Sequence, residues 1–339
     1  MSTIVNVGII GAGRIGKLHA ENIALSMPQA KLVAIADVNM TPAIEAWAKG
    51  LGIEKILKDP AALVADKDIQ AVLICSSTDT HADFVVKLAN AGKHIFCEKP
   101  VDLTTVKVRA ALEAVKKASV KLQVGFNRRF DHNFRRVRDL IEAGAVGTPQ
   151  IIKITSRDPS PPPPAYVAVS GGIFLDMSIH DFDMARFQAG SEVVEVYAAG
   201  AVLIDEAIGK AGDVDTAIIT LRFANGALAV IDNSRKATYG YDQRVEVFGS
   251  KGSAAAENDC PSTVRLSDET GVMADKPQYF FLERYKEAFI SEMRAFLDAV
   301  ATGKVCPVTG EDGLQDLLVA LAAKKSLVEK RPVKLSEIA

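Results

Sequence analysis

A glycine-rich turn between an apolar run and a helical pattern constrains the fold of this chain more than any other feature. Residues 4–10 (IVNVGII) are apolar and β-branched, which predicts a buried strand, and the turn GAGRIG at 11–16 follows directly. A second apolar run, 31–36, ends at Asp37, about 20 residues after the turn. This order of strand, glycine turn, helix, strand and acid is typical of a dinucleotide-binding βαβ unit.

The glycines of the turn have separate predicted roles. Gly11 allows a tight turn, Gly13 lets the backbone approach a pyrophosphate, and Gly16 lets the helix pack closely on the strand. The helix N-terminus then stabilises the phosphate charge. A glycine turn without a ligand is the disfavoured alternative. The predicted cofactor contacts in the turn are Gly11, Ala12, Gly13, Arg14, Ile15 and Gly16.

Asp37 predicts which dinucleotide binds. A carboxylate at this place accepts hydrogen bonds from the adenosine ribose hydroxyls, whereas a 2′-phosphate would meet a like charge. NAD is therefore favoured over NADP. Arg14 is a mild counterweight, because its guanidinium is able to reach a phosphate.

The alternation of strand and helix patterns continues after Asp37. Parallel pairing with right-handed crossovers follows from it, so the sequence predicts an α/β fold with an N-terminal Rossmann, doubly wound parallel sheet over 1–124. The later predicted strands are 70–75, 94–97 and 120–124, separated by helical stretches at 42–50, 80–91 and 104–118.

The pattern becomes β-rich in the second half of the chain. The sequence there predicts a C-terminal α/β domain over 125–339 with a large open, mainly antiparallel sheet, because the strands have short connections and Asn225-Gly226 is a strong hairpin signal. The exposed face of such a sheet is expected to bury against another subunit. The prediction leaves open whether the helix 311–330 packs within this domain or back on the first domain. The predicted elements are a helix at 133–143, strands at 150–156, 193–203, 214–223, 227–234 and 243–248, and helices at 280–301 and 311–330.

Composition excludes several classes of protein. A length of 339 residues suits two domains, and a net charge of −2 offers no basic surface for nucleic acid. No apolar run approaches the roughly 20 residues that span a bilayer, and the N-terminus lacks the features of a signal peptide. The four cysteines show neither a CxxC pair nor metal-ligand spacing, so we expect reduced thiols in a cytoplasmic protein without a metal.

A proline run at 159–164 (PSPPPP) lies between the two β-rich stretches. Such a run lacks the donors of a strand and favours extended polyproline geometry. The favoured interpretation is a stiff loop over a site. The alternative is a docking peptide for a proline-binding domain.

Three residues have the chemistry expected for oxidation of an alcohol. Asp176 and His180 are spaced i, i+4, and Asp183 follows His180 by three, so one helix would project all three from one face. His180 is suited to act as the general base, and Asp176 to orient it and stabilise the imidazolium. Lys99 would place a positive charge near the developing alkoxide.

Other interpretations of these residues remain open at this stage. A pair such as Asp176 and His180 on a helix is more often a surface pair or a cap than a catalytic dyad, and with Asp183 the two resemble a metal site that lacks a second histidine or cysteine. Lys99 alone is typical of a solvated surface lysine. Spacing along the chain does not bring Lys99 to His180.

A resemblance to a known family connects the two. The chain resembles the Gfo/Idh/MocA oxidoreductases along almost its whole length, and the loop SRDPSPPPPAYV at 156–167 is similar to that of the inositol dehydrogenase group within the family. The runs that carry the family resemblance are GIIGAGRIGKLHAENI, EKP at 98–100, GFNRRFD at 125–131, GGIFLDMSIHDFDM at 171–184 and YGYDQRVEVFGSKG at 239–252.

The resemblance implies roles for individual residues. Lys99 binds the reacting oxygen and the nicotinamide ribose, His180 acts as the base, and Asp176 assists it. Implied cofactor contacts beyond the glycine turn are Ser76, Thr78, His81, Glu98 and Lys99. Implied substrate contacts, besides Asp176 and His180, are Asn127, Arg128, Asp158, Asp183 and Tyr239.

The implied activity is NAD-dependent oxidation of myo-inositol to 2-keto-myo-inositol by a cytoplasmic homotetramer. Some inositol dehydrogenases carry methionine where Asn127 stands and asparagine where Asp158 stands, so the isomer stays open. The alternatives are scyllo- or chiro-inositol, a pyranose sugar, or a non-catalytic NAD-binding regulator on the same fold. The implied partner is a small cyclic polyol, with neither nucleic acid nor a membrane.

Overall fold

The computed structural model describes residues 4–338, which fall into two compact units. The first unit extends to Asn127 and also contains Glu287–Leu317, and the second contains Arg128–Lys286 and the chain from Leu318 onward. The sequence places the boundary three residues earlier, after 124, and assigns the remainder to the second domain, with the helix 311–330 allowed to pack back on the first. The return of 287–317 to the first unit is the main difference.

A six-stranded parallel sheet forms the centre of the first unit, in the order β3-β2-β1-β4-β5-β6. The order reverses between β1 and β4, which is the place where doubly wound sheets bind nucleotides. The predicted Rossmann sheet and α/β fold class are therefore confirmed. Its strands are Val5–Ile10 (β1), Ala30–Ala36 (β2), Lys55–Leu57 (β3), Ala71–Ile74 (β4), His94–Cys97 (β5) and Leu122–Val124 (β6), and its helices are Arg14–Ser26 (α1), Pro42–Gly50 (α2), Pro60–Ala65 (α3), His81–Asn90 (α4) and Thr105–Ala118 (α5).

Packing explains why the chain returns to the first unit. Phe96 on β5 is fully buried and forms an edge-to-face contact with Phe296, at 5.8 Å between ring centroids. Met293 and Leu297 belong to the same apolar core. All three later residues lie on Lys286–Thr302 (α12), whose apolar face is thus complementary to the Rossmann sheet rather than to the second sheet.

A seven-stranded mixed sheet forms the second unit, in the order β12-β11-β7-β10-β9-β8-β15. Its neighbouring strands pair antiparallel except β7 with β10, so the predicted mainly antiparallel sheet is confirmed. Gly226 has a φ of +90° in the turn between β9 and β10, as the Asn-Gly hairpin signal predicts. The strands are Pro149–Arg157 (β7), Val193–Ala201 (β8), Thr216–Phe223 (β9), Leu228–Ser234 (β10), Asp242–Gly249 (β11), Gly252–Ala256 (β12) and Val333–Lys334 (β15), beside an exposed hairpin of Arg265–Asp268 (β13) and Gly271–Ala274 (β14).

Helices cover one face of this sheet, and α9 packs on β7 and β10. Two predicted helices are interrupted in the structure. The predicted helix at 280–301 breaks at Tyr285, and the predicted helix through Asp176 and His180 breaks at Met177. The remaining helices are His132–Glu142 (α6), Pro164–Ser170 (α7), Ile173–Asp176 (α8), Ser178–Ala189 (α9), Glu206–Lys210 (α10), Phe281–Arg284 (α11) and Gly310–Glu329 (α13).

The proline run leads into α7. Pro163 is extended, with φ −57° and ψ 141°, and Pro164 is the first residue of the helix, where its missing N–H is not needed. The stretch before it has no regular secondary structure, in agreement with a loop. A docking role for the run is untested.

None of the helices within residues 4–338 has the length and apolarity needed to cross a membrane.

Candidate functional site

The glycine turn of the first unit is tightly packed at Gly11 and Gly16 and open at Gly13. A Cβ at Gly11 would lie 2.5 Å from the carbonyl oxygen of Cys75, and a Cβ at Gly16 would lie 1.9 Å from that of Gly11. A Cβ at Gly13 would meet no atom within 4 Å. Gly13 also precedes α1, whose first turn has neither a capping side chain nor an acid. The first turn of α1 has no carboxylate that would repel an anion, so the residues of the turn fit a dinucleotide pyrophosphate.

Two alanine substitutions separate these roles. Gly13→Ala is expected to leave Tm unchanged and to weaken NAD binding by about tenfold or more, since a hydrogen bond to a charged group is worth about 1.5–3 kcal/mol. Gly16→Ala is expected to destabilise the fold by about 1–3 kcal/mol, because its Cβ overlaps a backbone oxygen. NAD titration and thermal unfolding measure the two effects, with Gly50→Ala as the control, since Gly50 also has open space. A Gly13→Ala variant with normal NAD affinity would contradict the assignment.

Asp37 holds the turn as well as facing the predicted ribose position. Its Oδ2 accepts a hydrogen bond from the N–H of Ala12 at 2.6 Å, and its Oδ1 accepts one from the N–H of Asn39 at 2.7 Å. The carboxylate lies directly after β2, next to the glycine turn. The repulsion of a 2′-phosphate by this carboxylate stays a prediction.

The cofactor preference tests this charge. We expect kcat/KM with NAD to exceed that with NADP by about tenfold or more, and Asp37→Ser to narrow the ratio, because the like charge is removed. The ratio of kcat/KM with NAD to kcat/KM with NADP is informative even if Asp37→Ser slows turnover, because both values are measured on the same variant. Asp68→Ser, at a carboxylate with 79% exposure, is the control. Equal rates with both cofactors in the unmodified protein would remove this role from Asp37.

The loops after β4 and β5 hold the other predicted cofactor residues. His81 links them, because its Nε2 lies 3.0 Å from the carbonyl oxygen of Ser76 and its Nδ1 lies 2.8 Å from that of Pro100. Thr78 begins a short 3₁₀ turn between Ser76 and His81. His81 is buried, so it positions the loop that carries Lys99. Its direct contact to a cofactor stays a prediction.

Glu98, next to Lys99, is held from α1. Its Oε1 lies 2.9 Å from Nε2 of His19, whose ring is fully buried and makes edge contacts with Phe96 and Phe289. The motifs of the sequence assign no role to His19. The sequence does contain a signal for this contact. His19 follows Ile15 by four residues, so both lie on the same face of α1, and His19 is buried there.

In the second unit, Asp176 and Asp158 converge on Arg235. Nη1 of Arg235 lies 3.0 Å from Oδ2 of Asp176 and 3.4 Å from Oδ2 of Asp158. Oδ1 of Asp176 also accepts a hydrogen bond from the hydroxyl of Tyr166 at 2.9 Å. Arg235 was missed by sequence reasoning, although a cation directly after the predicted strand 227–234 was a signal.

The structure corrects the geometry predicted for the catalytic helix. Asp176 is the last residue of α8, Met177 interrupts the helix, and His180 lies in the first turn of α9. The prediction that one helix projects Asp176, His180 and Asp183 from one face is therefore wrong. Asp183 is fully buried, and both of its oxygens accept hydrogen bonds from Arg129 at 2.6–3.0 Å.

Arg128 also belongs to a buried network. Its Nη1 donates to Oδ1 of Asp181 at 2.5 Å, and Oδ2 of Asp181 accepts from Asn233 at 2.9 Å. Burial raises the pKa of Asp181, while the Arg128 guanidinium opposes that shift. Arg128 thus stabilises the buried carboxylate of Asp181 in the first turn of α9. Direct contacts of Arg128 and of Asp183 to the substrate stay predictions.

The other two predicted substrate residues are Tyr239 and Asn127. The hydroxyl of Tyr239 donates to Oδ2 of Asp242 at 2.5 Å and accepts from Nη1 of Arg157 at 3.0 Å. Tyr239 is 39% exposed, so it is able to reach a ligand. Asn127 is buried and begins a short 3₁₀ turn at the end of the first unit.

The glycine turn at the switch point of a parallel sheet, with Asp37 beside it, is typical of a domain that binds NAD. Two family models agree with this class. Residues 5–126 match the "oxidoreductase family, NAD-binding Rossmann fold" of Gfo/Idh/MocA, and residues 134–255 match the Gfo/Idh/MocA C-terminal domain. The chain belongs to the Gfo/Idh/MocA oxidoreductase family.

One named relative and two solved structures show how similar the chain is to other members. A Thermotoga maritima protein named myo-inositol 2-dehydrogenase is 54% identical, over 98% of this chain and 99% of its own. The crystal structure of a probable dehydrogenase from Thermotoga maritima superimposes with a TM-score of 0.97 at 53% identity, over 99% of this chain and 100% of its own. The scyllo-inositol dehydrogenase of Lactobacillus casei, solved with NAD(H) and scyllo-inositol, gives 0.91 at 33% identity, over 98% and 100%.

Proposed function

We propose that this chain oxidises myo-inositol to 2-keto-myo-inositol with NAD. The observation that carries the proposal is the near full-length similarity to a protein named myo-inositol 2-dehydrogenase, in a chain that also has Lys99, Asp176 and His180. The names of the relatives do not favour a non-catalytic regulator.

The reaction requires removal of a hydroxyl proton and of a hydride from the same carbon. NAD, when bound, accepts the hydride. His180 takes the hydroxyl proton, and Asp176 stabilises the imidazolium that results. Lys99 stabilises the negative charge that develops on the oxygen, and it polarises the ketone in the reverse direction.

A cyclic polyol suits the polar side chains of the second unit. Asp158 and Asp176 offer carboxylate oxygens to substrate hydroxyls, and the Tyr239 hydroxyl adds a further polar contact. An analogue that lacks a hydroxyl would leave such groups unpaired, which costs binding energy. The proposed pocket therefore selects a ring with a hydroxyl on each carbon.

A panel of polyols tests the proposal. NADH formation is measured with myo-, scyllo- and chiro-inositol and with glucose at equal concentrations. We expect the highest kcat/KM with myo-inositol. Preference for another inositol would correct the isomer, glucose far above every inositol would overturn the substrate class, and NAD binding without turnover of any polyol would favour the regulator.

We also propose that the chain is a homotetramer in the cytoplasm. Ile151, Leu228 and Phe248 align side by side across β7, β10 and β11, and each is 44–47% exposed on the uncovered face of the sheet. An aligned apolar row of this kind is suited to a subunit interface. The four cysteines are free thiols, which suits a reducing compartment. Light scattering with a mass of four chains supports the tetramer, and a monomer contradicts it.

A further inference from the structure

Arg235 and Asp158 occupy fixed positions at two neighbouring strand ends. β7 and β10 are parallel neighbours, with Ser234 opposite Arg157. Asp158 and Arg235 follow these residues and so emerge at the same edge of the sheet. The N–H of Asp158 donates to the carbonyl oxygen of Ser234 at 2.9 Å, and the N–H of Arg235 donates to that of Asp215 at 2.8 Å. The backbone of both residues is therefore fixed.

The guanidinium of Arg235 contacts two carboxylates through a single nitrogen. Its Nη1 lies 3.0 Å from Oδ2 of Asp176 and 3.4 Å from Oδ2 of Asp158. The Arg235 side chain is 3% exposed, whereas those of Asp158 and Asp176 are 24% and 14% exposed. Asp213 adds a further negative charge near Arg235. The arginine is thus the inner member of the group, and Asp158 and Asp176 keep the surface that a ligand is able to reach.

This contact differs from a structural ion pair of the same unit. Arg129 binds both oxygens of Asp183 through Nε and Nη2, which is the strong bidentate geometry. In Arg235, Nε and Nη2 are buried, and neither has a hydrogen-bond partner within residues 4–338. Buried donors without partners cost stability. The arrangement around Arg235 therefore favours a role in the charge of the two acids over a role in the stability of the fold.

The groups around Asp158 determine its charge. Burial is the main cause that raises the pKa of Asp158 to about 6, and the like charge of Asp176 acts in the same direction. The charge of Arg235 is the largest influence that opposes this shift, and Arg128 also opposes it. The phenol of Tyr241 is near enough to be affected by Asp158. Asp158 is therefore mostly ionised at neutral pH, and it would be protonated there more often without Arg235.

The charge of the two acids decides how they bind hydroxyl groups. An ionised carboxylate only accepts hydrogen bonds, and its bonds are stronger than those of a neutral carboxyl group. Two neighbouring carboxylates without a cation tend to retain a proton on one of them. A cation between Asp158 and Asp176 keeps both as acceptors, so two hydroxyl groups of one ring are able to donate to them.

We propose that Arg235 is a positioning residue for substrate recognition, which holds Asp158 and Asp176 side by side as two ionised acceptors for hydroxyl groups of one polyol. The inference rests on the proposed function, since it assigns the polyol to these two acids. The effect of Arg235 on the charge of Asp158 is measurable without turnover.

Infrared difference spectroscopy measures the protonation of Asp158 directly. The C=O stretch of protonated carboxyl groups is followed against pH, and the Asp158 signal is assigned by its loss in Asp158→Asn. In Arg235→Gln we expect the midpoint to rise by about one pH unit or more, because an adjacent guanidinium lowers the pKa of a carboxyl group by about 1–3 pH units. Arg235→Lys keeps a cation, so its midpoint should lie closer to that of the unmodified protein.

The KM for myo-inositol at saturating NAD is the second measurement. In the unmodified protein, KM should rise as the pH falls through about 6, because Asp158 loses its charge. In Arg235→Gln this rise should begin at higher pH, so KM at neutral pH increases about two- to tenfold and recovers as the pH is raised. In Asp158→Asn, KM should be high and should lose this pH-dependent step.

Asp176→Asn is the opposing variant, and it is nearly isosteric, so it remains usable if Arg235→Gln does not fold. It removes a like charge and leaves the guanidinium to Asp158 alone, and we expect the infrared midpoint of Asp158 to fall by about half a pH unit or more. Arg265→Gln, on the exposed hairpin, is the matched control and should change neither the midpoint nor KM.

The outcomes separate the inference from the proposed function. An unshifted Asp158 midpoint in Arg235→Gln, an equal shift in Arg235→Lys, or a rise in Asp176→Asn would overturn the role of Arg235. A purely structural role would reduce activity equally at every pH and leave the midpoint unchanged. Absence of polyol oxidation by the unmodified protein would refute the proposed function, while the infrared titration would still decide whether Arg235 keeps Asp158 ionised.

Discussion

Replacing His180 by alanine is expected to lower kcat by about 10²–10⁴ while NAD still binds, because the variant loses the proposed general base and keeps the glycine turn. The cofactor residues of the glycine turn lie in the first unit, whereas His180 lies on α9 of the second, so the substitution leaves the turn unchanged. Steady-state rates with myo-inositol and a fluorescence titration with NAD measure the two parts.

His132→Ala is the control for this variant. His132 is in the same unit, and its side chain is 67% exposed, so its loss should leave kcat within about twofold. An unchanged kcat in His180→Ala would remove His180 from the mechanism. Loss of NAD binding together with activity would instead indicate a structural role.

Replacing Lys99 by alanine is expected to lower kcat by about 10²–10³, since the charge that develops on the substrate oxygen loses its cation. Lys99 follows β5 at the carboxyl edge of the Rossmann sheet. The side chain of Glu98 contacts His19, and the ring of His81 contacts the carbonyl oxygen of Pro100, so the residues on both sides of Lys99 are fixed in position. The effect should appear in kcat more than in KM, because the charge develops only in the transition state.

Lys117→Ala, at an exposed position of α5, is the matched control and should behave as the unmodified protein. Lys99→Arg keeps the charge but not the geometry, so we expect it to recover part of the lost rate. Near-normal turnover in Lys99→Ala would refute the proposed electrophilic role.

The parts of the fold that depend on local sequence were predictable. The strand before Gly11, the glycine turn and Asp37 follow each other within one βαβ unit, so their roles did not depend on distant packing. The hairpin at Asn225-Gly226 was predictable for the same reason. The strand bounds 214–223 and 227–234 agree with β9 and β10 to within two residues.

Features that depend on tertiary contacts were not predictable. The apolar pattern of α12 predicts a helix, but it does not predict which of the two sheets the helix covers. The contact between Phe296 and Phe96 places the helix on the first sheet, and that contact exists only in the folded chain. The break at Met177 lies within a good helical pattern. The pairing of Arg235 with Asp176 joins residues far apart in sequence, and nothing in either neighbourhood specifies the other.

The candidate site shows the same division. Types of residue at Asp176 and His180 indicated proton transfer, but the family resemblance was needed to relate them to Lys99. Arg128 and Asp183 were predicted from the resemblance as substrate contacts. The structure shows each of them paired in a buried ion pair, with Asp181 and Arg129 respectively.

The most direct test of the central claim follows the hydride itself. The protein is incubated with NAD and myo-inositol that carries deuterium on the carbon of the hydroxyl to be oxidised, and both products are analysed by mass spectrometry and NMR. The account predicts deuterium on the reduced nicotinamide ring and 2-keto-myo-inositol without it, in equal amounts. Reduced cofactor without deuterium, or no reduction of NAD by any inositol, would contradict the account.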